Sequence, residues 1–243
     1  MNFEVKPILE KMLRFYEKPI SKERFDDYIT LLKGSSKSDL QLPISGYNPM
    51  AKEHIINKIH ELLNLDAETI IKEVLAEINS DSTIKENKNI EVVINIADDL
   101  KGGWTNYYTT DFDSKFKLNA LIERNFCTPY FWSSETYDKE LIIKRTKEYV
   151  FRTRYRLNNR RLNQLKDYIS QEKFVQEKIR VNFKLEKNMN YEFMKEFHNN
   201  HKYSEDYNLI FNFFYGDIVS SQLNYSTFGI GNYTGFDYVK SLL

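Results

Sequence analysis

The chain has 243 residues, with 35 Lys and Arg against 35 Asp and Glu, so its formal net charge is zero and any attraction to a polyanion must come from a local patch. Aromatic residues make up 15% of the chain while glycine and proline number only 8 and 5, which excludes a disordered or fibrous protein and predicts a substantial packed core. One cysteine, Cys127, excludes an internal disulfide framework and predicts a reducing, cytoplasmic setting; a start without an apolar signal core and the lack of any run near 18 apolar residues predict a soluble, membrane-free protein.

In chain order, Ile8, Met12, Phe15 and Tyr16 recur at helical spacing before Pro19. Ser21 then caps a second helix with the stripe Phe25, Tyr28, Ile29 and Leu32. Residues 34–49, GSSKSDLQLPISGYNP, have no period and read as an unusually long loop. Met50, Ile55, Ile56, Ile59, Leu62 and Leu63 mark a third helix. Asp66 caps a fourth, with Ile70, Ile71, Val74, Leu75 and Ile78 on one face. Residues 1–80 are thus expected to form a helical unit, bounded by the polar stretch Asn79–Asn89, with an α/β part over 90–243.

Ile90 to Ile96 is a β-branched run, the pattern of a strand covered on both faces. Asp98, Asp99 and the pair Gly102-Gly103 follow directly, so two carboxylates and a flexible turn sit where that strand ends. In open parallel sheets this is where ligands bind. Asp- and Gly-rich turns are also ordinary punctuation, and no dinucleotide-binding or P-loop spacing is present. Asp111 or Asp113 caps a helix through Phe116, Leu118, Leu121 and Ile122, and Phe126–Trp132 reads as a second strand, parallel to the first. Asp98, Asp99, Asp111 and Asp113 are therefore candidate catalytic residues, able to share a divalent cation or position a phosphate if the loop brings them together.

Ser133 or Ser134 caps a long helix from Tyr137 to about Leu157. Its predicted inner face is Ile142, Ile143, Thr146, Tyr149, Val150, Thr153 and Leu157. Lys144, Arg145, Lys147, Arg152, Arg154 and Arg156 are placed outside, with Phe151 and Tyr155 among them and Arg160 and Arg161 following. From Lys139 to Lys166 ten Lys or Arg face two Glu, an excess of about eight positive charges in a neutral chain. That surface is a candidate interface for an acidic protein or a nucleic acid, the exposed rings stacking or filling pockets. The alternative is that the arginines pair within the chain and the rings are core.

Further on, Leu162, Leu165, Tyr168 and Ile169 continue in a helix, and Val181, Phe183 and Leu185 alternate as an edge strand. Residues 189–201 have helical period with Phe193, Met194 and Phe197 inward, and Gly229–Gly235 is turn-rich. His198 and His201, three apart, are weak candidates for half of a metal site. His54 and His60 do not share a helix face and read as surface residues. The expected fold class is helix-dominated α+β with a small, partly parallel sheet. Two functions fit: an adaptor that holds an acidic partner with the basic helix, or a metal- or phosphate-dependent enzyme at the Asp98–Asp113 loop. The cofactor and the oligomeric state stay open.

Overall fold

The computed structural model describes residues 2–34, 39–80, 88–100, 104–159, 161–179 and 189–243. It is helix-dominated α+β, as the sequence predicts, with eleven helices among the described residues and short parallel strands. No described helix is long and apolar enough to cross a membrane. The chain divides into two compact units, 1–150 and 151–243.

The first unit opens with β1 (Asn2–Val5), which at four residues is too short to show a period in the sequence. Helices α1 (Leu9–Tyr16), α2 (Lys22–Lys33), α3 (Glu53–Asn64) and α4 (Ala67–Ser80) follow, at the four predicted places. Ser21 caps α2, its side chain accepting from the Arg24 N–H at 3.2 Å. Next come β2 (Asn89–Val92) and β3 (Asn95–Ala97), two halves of the predicted apolar strand. The helices α5 (Tyr107–Phe116) and α6 (Asn119–Glu123) cross to β4 (Phe126–Cys127) and β5 (Tyr130–Trp132).

Strand β1 pairs parallel to β2, with Phe3 opposite Ile90, and β2 pairs parallel to β4. The pairing continues through Val93 N–H to Cys127 C=O (2.9 Å) and Asn95 N–H to Pro129 C=O (3.0 Å) into the parallel pair β3–β5. The β1–β2 pairing joins the first helices and the sheet within the unit 1–150. Asn79 itself does structural work at the edge of β1: its amide accepts from Phe3 N–H (3.0 Å) and donates to Phe3 C=O (2.9 Å). A side chain thus satisfies backbone groups that would otherwise offer themselves to a further strand.

The described end of the long loop, residues 42–49, is largely core. Leu42, Ile44 and Tyr47 are buried, Tyr28 donates its hydroxyl to Ile44 C=O (2.9 Å), and Tyr16 donates to Asn48 C=O (2.8 Å). Buried Asn95 clamps the loop, accepting from Gly46 N–H (2.9 Å) and donating to Pro43 C=O (2.7 Å). A Cβ on Gly46 would lie 2.6 Å from Asn95 Oδ1, so the clamp requires glycine there.

Helix α7 (Lys139–Asn158) begins in the first unit and ends in the second. The second unit adds α8 (Leu165–Ile179), α9 (Met189–His201), α10 (Tyr207–Gln222) and α11 (Gly235–Ser241). Its core is rich in aromatic residues, with Phe211, Phe213 and Phe214 fully buried. Helix α10 is broken at Gly216 (φ 80°, ψ 174°), after which the Asp217 carboxylate receives the N–H groups of Phe228 (3.1 Å) and Gly231 (2.8 Å) and the Asn212 amide (2.9 Å). Burial raises the Asp217 pKa, but those donors outweigh it and hold the carboxyl below its usual range. The predicted edge strand at Val181, Phe183 and Leu185 and the Gly102-Gly103 turn lie outside the described residues.

Candidate functional site

Because β3 and β5 run parallel, their carboxyl ends open on the same side, and the residues that follow each strand meet there. After β3 come Asp98 and Asp99; after β5 come Ser133 and Ser134. Asp98 is 1% exposed, yet its carboxylate is well satisfied. Oδ2 accepts from Asn48 Nδ2 at 2.8 Å, and Oδ1 contacts His54 Nε2 at 3.0 Å and Ser133 Oγ at 3.2 Å. Its backbone carbonyl accepts twice from Thr105, from N–H and from Oγ1, both at 3.0 Å. Asp99 is half-buried and accepts from Ser133 Oγ (3.0 Å), Ser134 N–H (3.0 Å) and Ser134 Oγ (2.6 Å).

With an ionised carboxylate, which only accepts, the His54–Asp98 contact is made by a proton on Nε2. A neutral His54 then carries its lone pair on Nδ1. His54 stands in the first turn of α3 with its side chain 37% exposed, so one ring edge is held by a buried acid while the ring stays open to solvent. This is the base-and-orienter arrangement of general acid–base sites.

The turn after β5 is fixed from several directions. Arg145 donates to both Glu135 oxygens (2.5 and 2.9 Å), Lys58 donates to Glu135 C=O, Tyr137 N–H donates to Glu61 (2.6 Å), and Tyr137 Oη donates to Trp132 C=O (2.8 Å). Burial opposes the charge of Arg145, but its paired bonds to Glu135 hold its pKa above the ordinary value. Beside this turn Tyr107, 36% exposed, lies 4.5 Å from the buried Trp132 ring. Burial first, then the charges of Asp111, Glu135 and Asp99, push the Tyr107 hydroxyl up to about 12. It therefore stays protonated at neutral pH.

The four aspartates do not behave as one group. Asp98 and Asp99 stand at the strand end, whereas Asp111 and Asp113 lie within α5, paired with Lys115 (2.5 Å) and Lys117 (2.7 Å) one turn on. The sequence reading placed Asp111 or Asp113 at a helix start; the cap is Asn106, whose side chain accepts from Thr109 N–H at 3.1 Å. Among the described residues no group of three His, Cys, Asp or Glu is arranged to hold a metal. His198 hydrogen-bonds Tyr238 (3.2 Å), and His201 packs against Phe197 with the rings tilted by 42° and centroids 4.5 Å apart.

The basic helix is also arranged differently from its helical-wheel reading. Arg152, Arg156 and Phe151, placed outside by the wheel, are buried, and Tyr155 packs against Phe174 with centroids 5.5 Å apart. Arg145 serves the Glu135 turn, and Lys147 pairs with Glu77 (3.1 Å). Lys144 and Arg161 are exposed and Arg154 is half-exposed, while Arg160 lies outside the described residues. A single wheel fails here because α7 is covered on more sides than one stripe.

The sequence reading missed Asn48, His54 and Ser133. Asn48 stands in a loop without period, and His54 shares no helix face with His60. The missing signal was a partner across the fold: Asn48 and His54 are 50 and 44 residues from Asp98. No family model matches this chain, and no curated protein and no solved structure matches it either.

Proposed function

We propose that this chain is an enzyme that moves a proton at the carboxyl ends of β3 and β5, with His54 as general base and Asp98 as the residue that orients it. The observation that supports the reading is the contact of accessible His54 with a carboxylate that is 1% exposed (3.0 Å). A buried acid fixes the tautomer and stabilises the imidazolium formed when Nδ1 takes a proton. Asn48 and Ser133 hold that acid in place. The reading keeps the strand-end location for an enzyme and replaces the four-aspartate cation cluster with an imidazole. The buried thiol of Cys127 suits a reducing compartment, and the cytoplasm is the address we propose.

The test is a panel of chromogenic esters, phosphoesters and glycosides assayed with the parent, His54→Gln and Asp98→Asn. Turnover of a panel member that falls 10²–10⁴-fold in folded His54→Gln supports the reading, in line with the usual contribution of a positioned base. A parent that turns over nothing, or a His54→Gln variant as active as the parent, overturns it.

A second reading, an acidic protein or nucleic-acid partner, rests on the cations of this region that face solvent, Lys144, Arg154 and Arg161. It expects the Glu triple variant of these three to lose binding to a polyanion such as heparin, with a smaller salt slope.

A further inference from the structure

A pocket of about 350 Å³ lies in the first unit, between the loop clamped by Asn95, one flank of α5 and β5. That size is at the lower end of small-molecule sites. Its wall on the loop side is Gly46, where a Cβ would meet Tyr130 at 3.2 Å as well as Asn95, so the sequence keeps this wall bare.

Hydroxyl-bearing residues make up most of the lining. Thr105, Thr109 and Thr110 bring hydroxyls to the lining, and Ser45 is hydrogen-bonded to the Tyr130 phenol. Thr105 and Thr109 already donate, to Asp98 C=O (3.0 Å) and to Asn106 Oδ1 (3.2 Å), so both face a ligand as acceptors. At the rim Asp113 and Lys117 form an exposed pair at 2.7 Å, one acceptor-only group beside one donor-only group. Such exposed pairs are weak and open readily. One carboxylate against one ammonium leaves the rim without net charge, which disfavours an anion. The Tyr130 ring and Leu121 supply the apolar surface.

A ligand that donates and accepts at each substituent, carries no charge and has a C–H face matches this lining. We propose that this pocket binds a neutral polyhydroxylated ring, a monosaccharide or a cyclitol, with Asp113 and Lys117 bracketing one of its hydroxyls and Thr110 hydrogen-bonding another. His54 is not among the residues that line this pocket, and the proposal does not rest on its role.

Saturation-transfer NMR on the full chain, with glucose, galactose, mannose, ribose and myo-inositol as probes and inorganic phosphate and acetate as anion controls, tests the proposal. The expected result is transfer to at least one polyol, reduced at least fivefold in both Thr110→Val and Asp113→Asn and unchanged in His54→Gln. No transfer to any polyol, transfer untouched by the two pocket variants, or calorimetric binding of the anions alone overturns it. Because His54→Gln is included, loss of the catalytic reading leaves this result standing, and the reverse also holds.

Discussion

Arg152 and Glu172 form a two-pronged ion pair in the second unit, Nε to Oε1 at 2.8 Å and Nη2 to Oε2 at 2.7 Å, with side chains 2% and 1% exposed. Gln171 adds a third donor to Oε1 at 3.1 Å. Removing one member leaves the other charge buried, so Glu172→Ala should destabilise the protein by about 3–5 kcal/mol. Replacing both by apolar residues of similar volume, as in Arg152→Met with Glu172→Leu, should cost far less. Urea denaturation of the two variants checks this, and equal losses in both would contradict it. Charge reversal at Arg152 is for the same reason a test of folding and not of partner binding.

Tyr47 offers a second stability test. Its side chain is fully buried, and its hydroxyl meets no hydrogen-bond partner among the described residues. Burial pushes the phenol well above its usual pKa, so it is neutral and merely desolvated. A buried hydroxyl without a partner costs free energy, so Tyr47→Phe should leave stability unchanged or raise it by about 1 kcal/mol. A clear drop in melting temperature would reveal a bond that Tyr47 makes.

His198 gives the fold a pH dependence of predictable sign. One ring nitrogen contacts the Tyr238 hydroxyl and the other is buried without a partner among the described residues. Burial first, and then the charge of Lys202, lower its pKa from 6.5. As pH falls through 6.5 the unfolded chain takes up a proton that the folded chain refuses, so stability is full above that value and declines below it, until the folded form also protonates. Melting curves from pH 7.5 to 5 should show this decline in the parent, and less of it in His198→Gln. An equal decline in both would assign it elsewhere.

The helices and the central strand were legible because their apolar residues repeat over many positions, as in Ile70, Ile71, Val74, Leu75 and Ile78. What stayed hidden has a physical reason in each case. Strand β1 is too short to show a period, and its pairing with β2 spans more than 80 residues. Helix α10 was concealed because Leu209, Ile210, Phe211, Phe213 and Phe214 are buried on all sides, which removes the alternation that identifies a helix. Phe193, predicted inward, is 43% exposed, while its neighbours Met194 and Phe197 are buried. Within the candidate site, Asp98 and Asp99 could be read from their place after a buried strand. His54 could not, because nothing in the α3 pattern states that its first turn faces that strand's end.

The glycines of the second unit separate two costs that are often merged. Gly216 and Gly229 both have positive φ, 80° and 82°, so an L-residue at either is strained by its backbone alone. They differ in space: a Cβ at Gly229 meets nothing within 4 Å, whereas one at Gly216 would lie 2.6 Å from the Gly231 carbonyl oxygen. That oxygen belongs to the turn whose N–H groups bind Asp217, and the Asp217 N–H itself donates to it at 2.9 Å, so it cannot retreat without breaking the turn. Gly229→Ala should therefore cost about 1 kcal/mol, the conformational term alone. Gly216→Ala should cost clearly more, since it combines a Gly-only conformation with a backbone clash. Denaturant midpoints of the two single variants measure the difference directly. Equal losses would mean that the Gly231 carbonyl moves freely and that the Asp217 turn does not hold the break in α10.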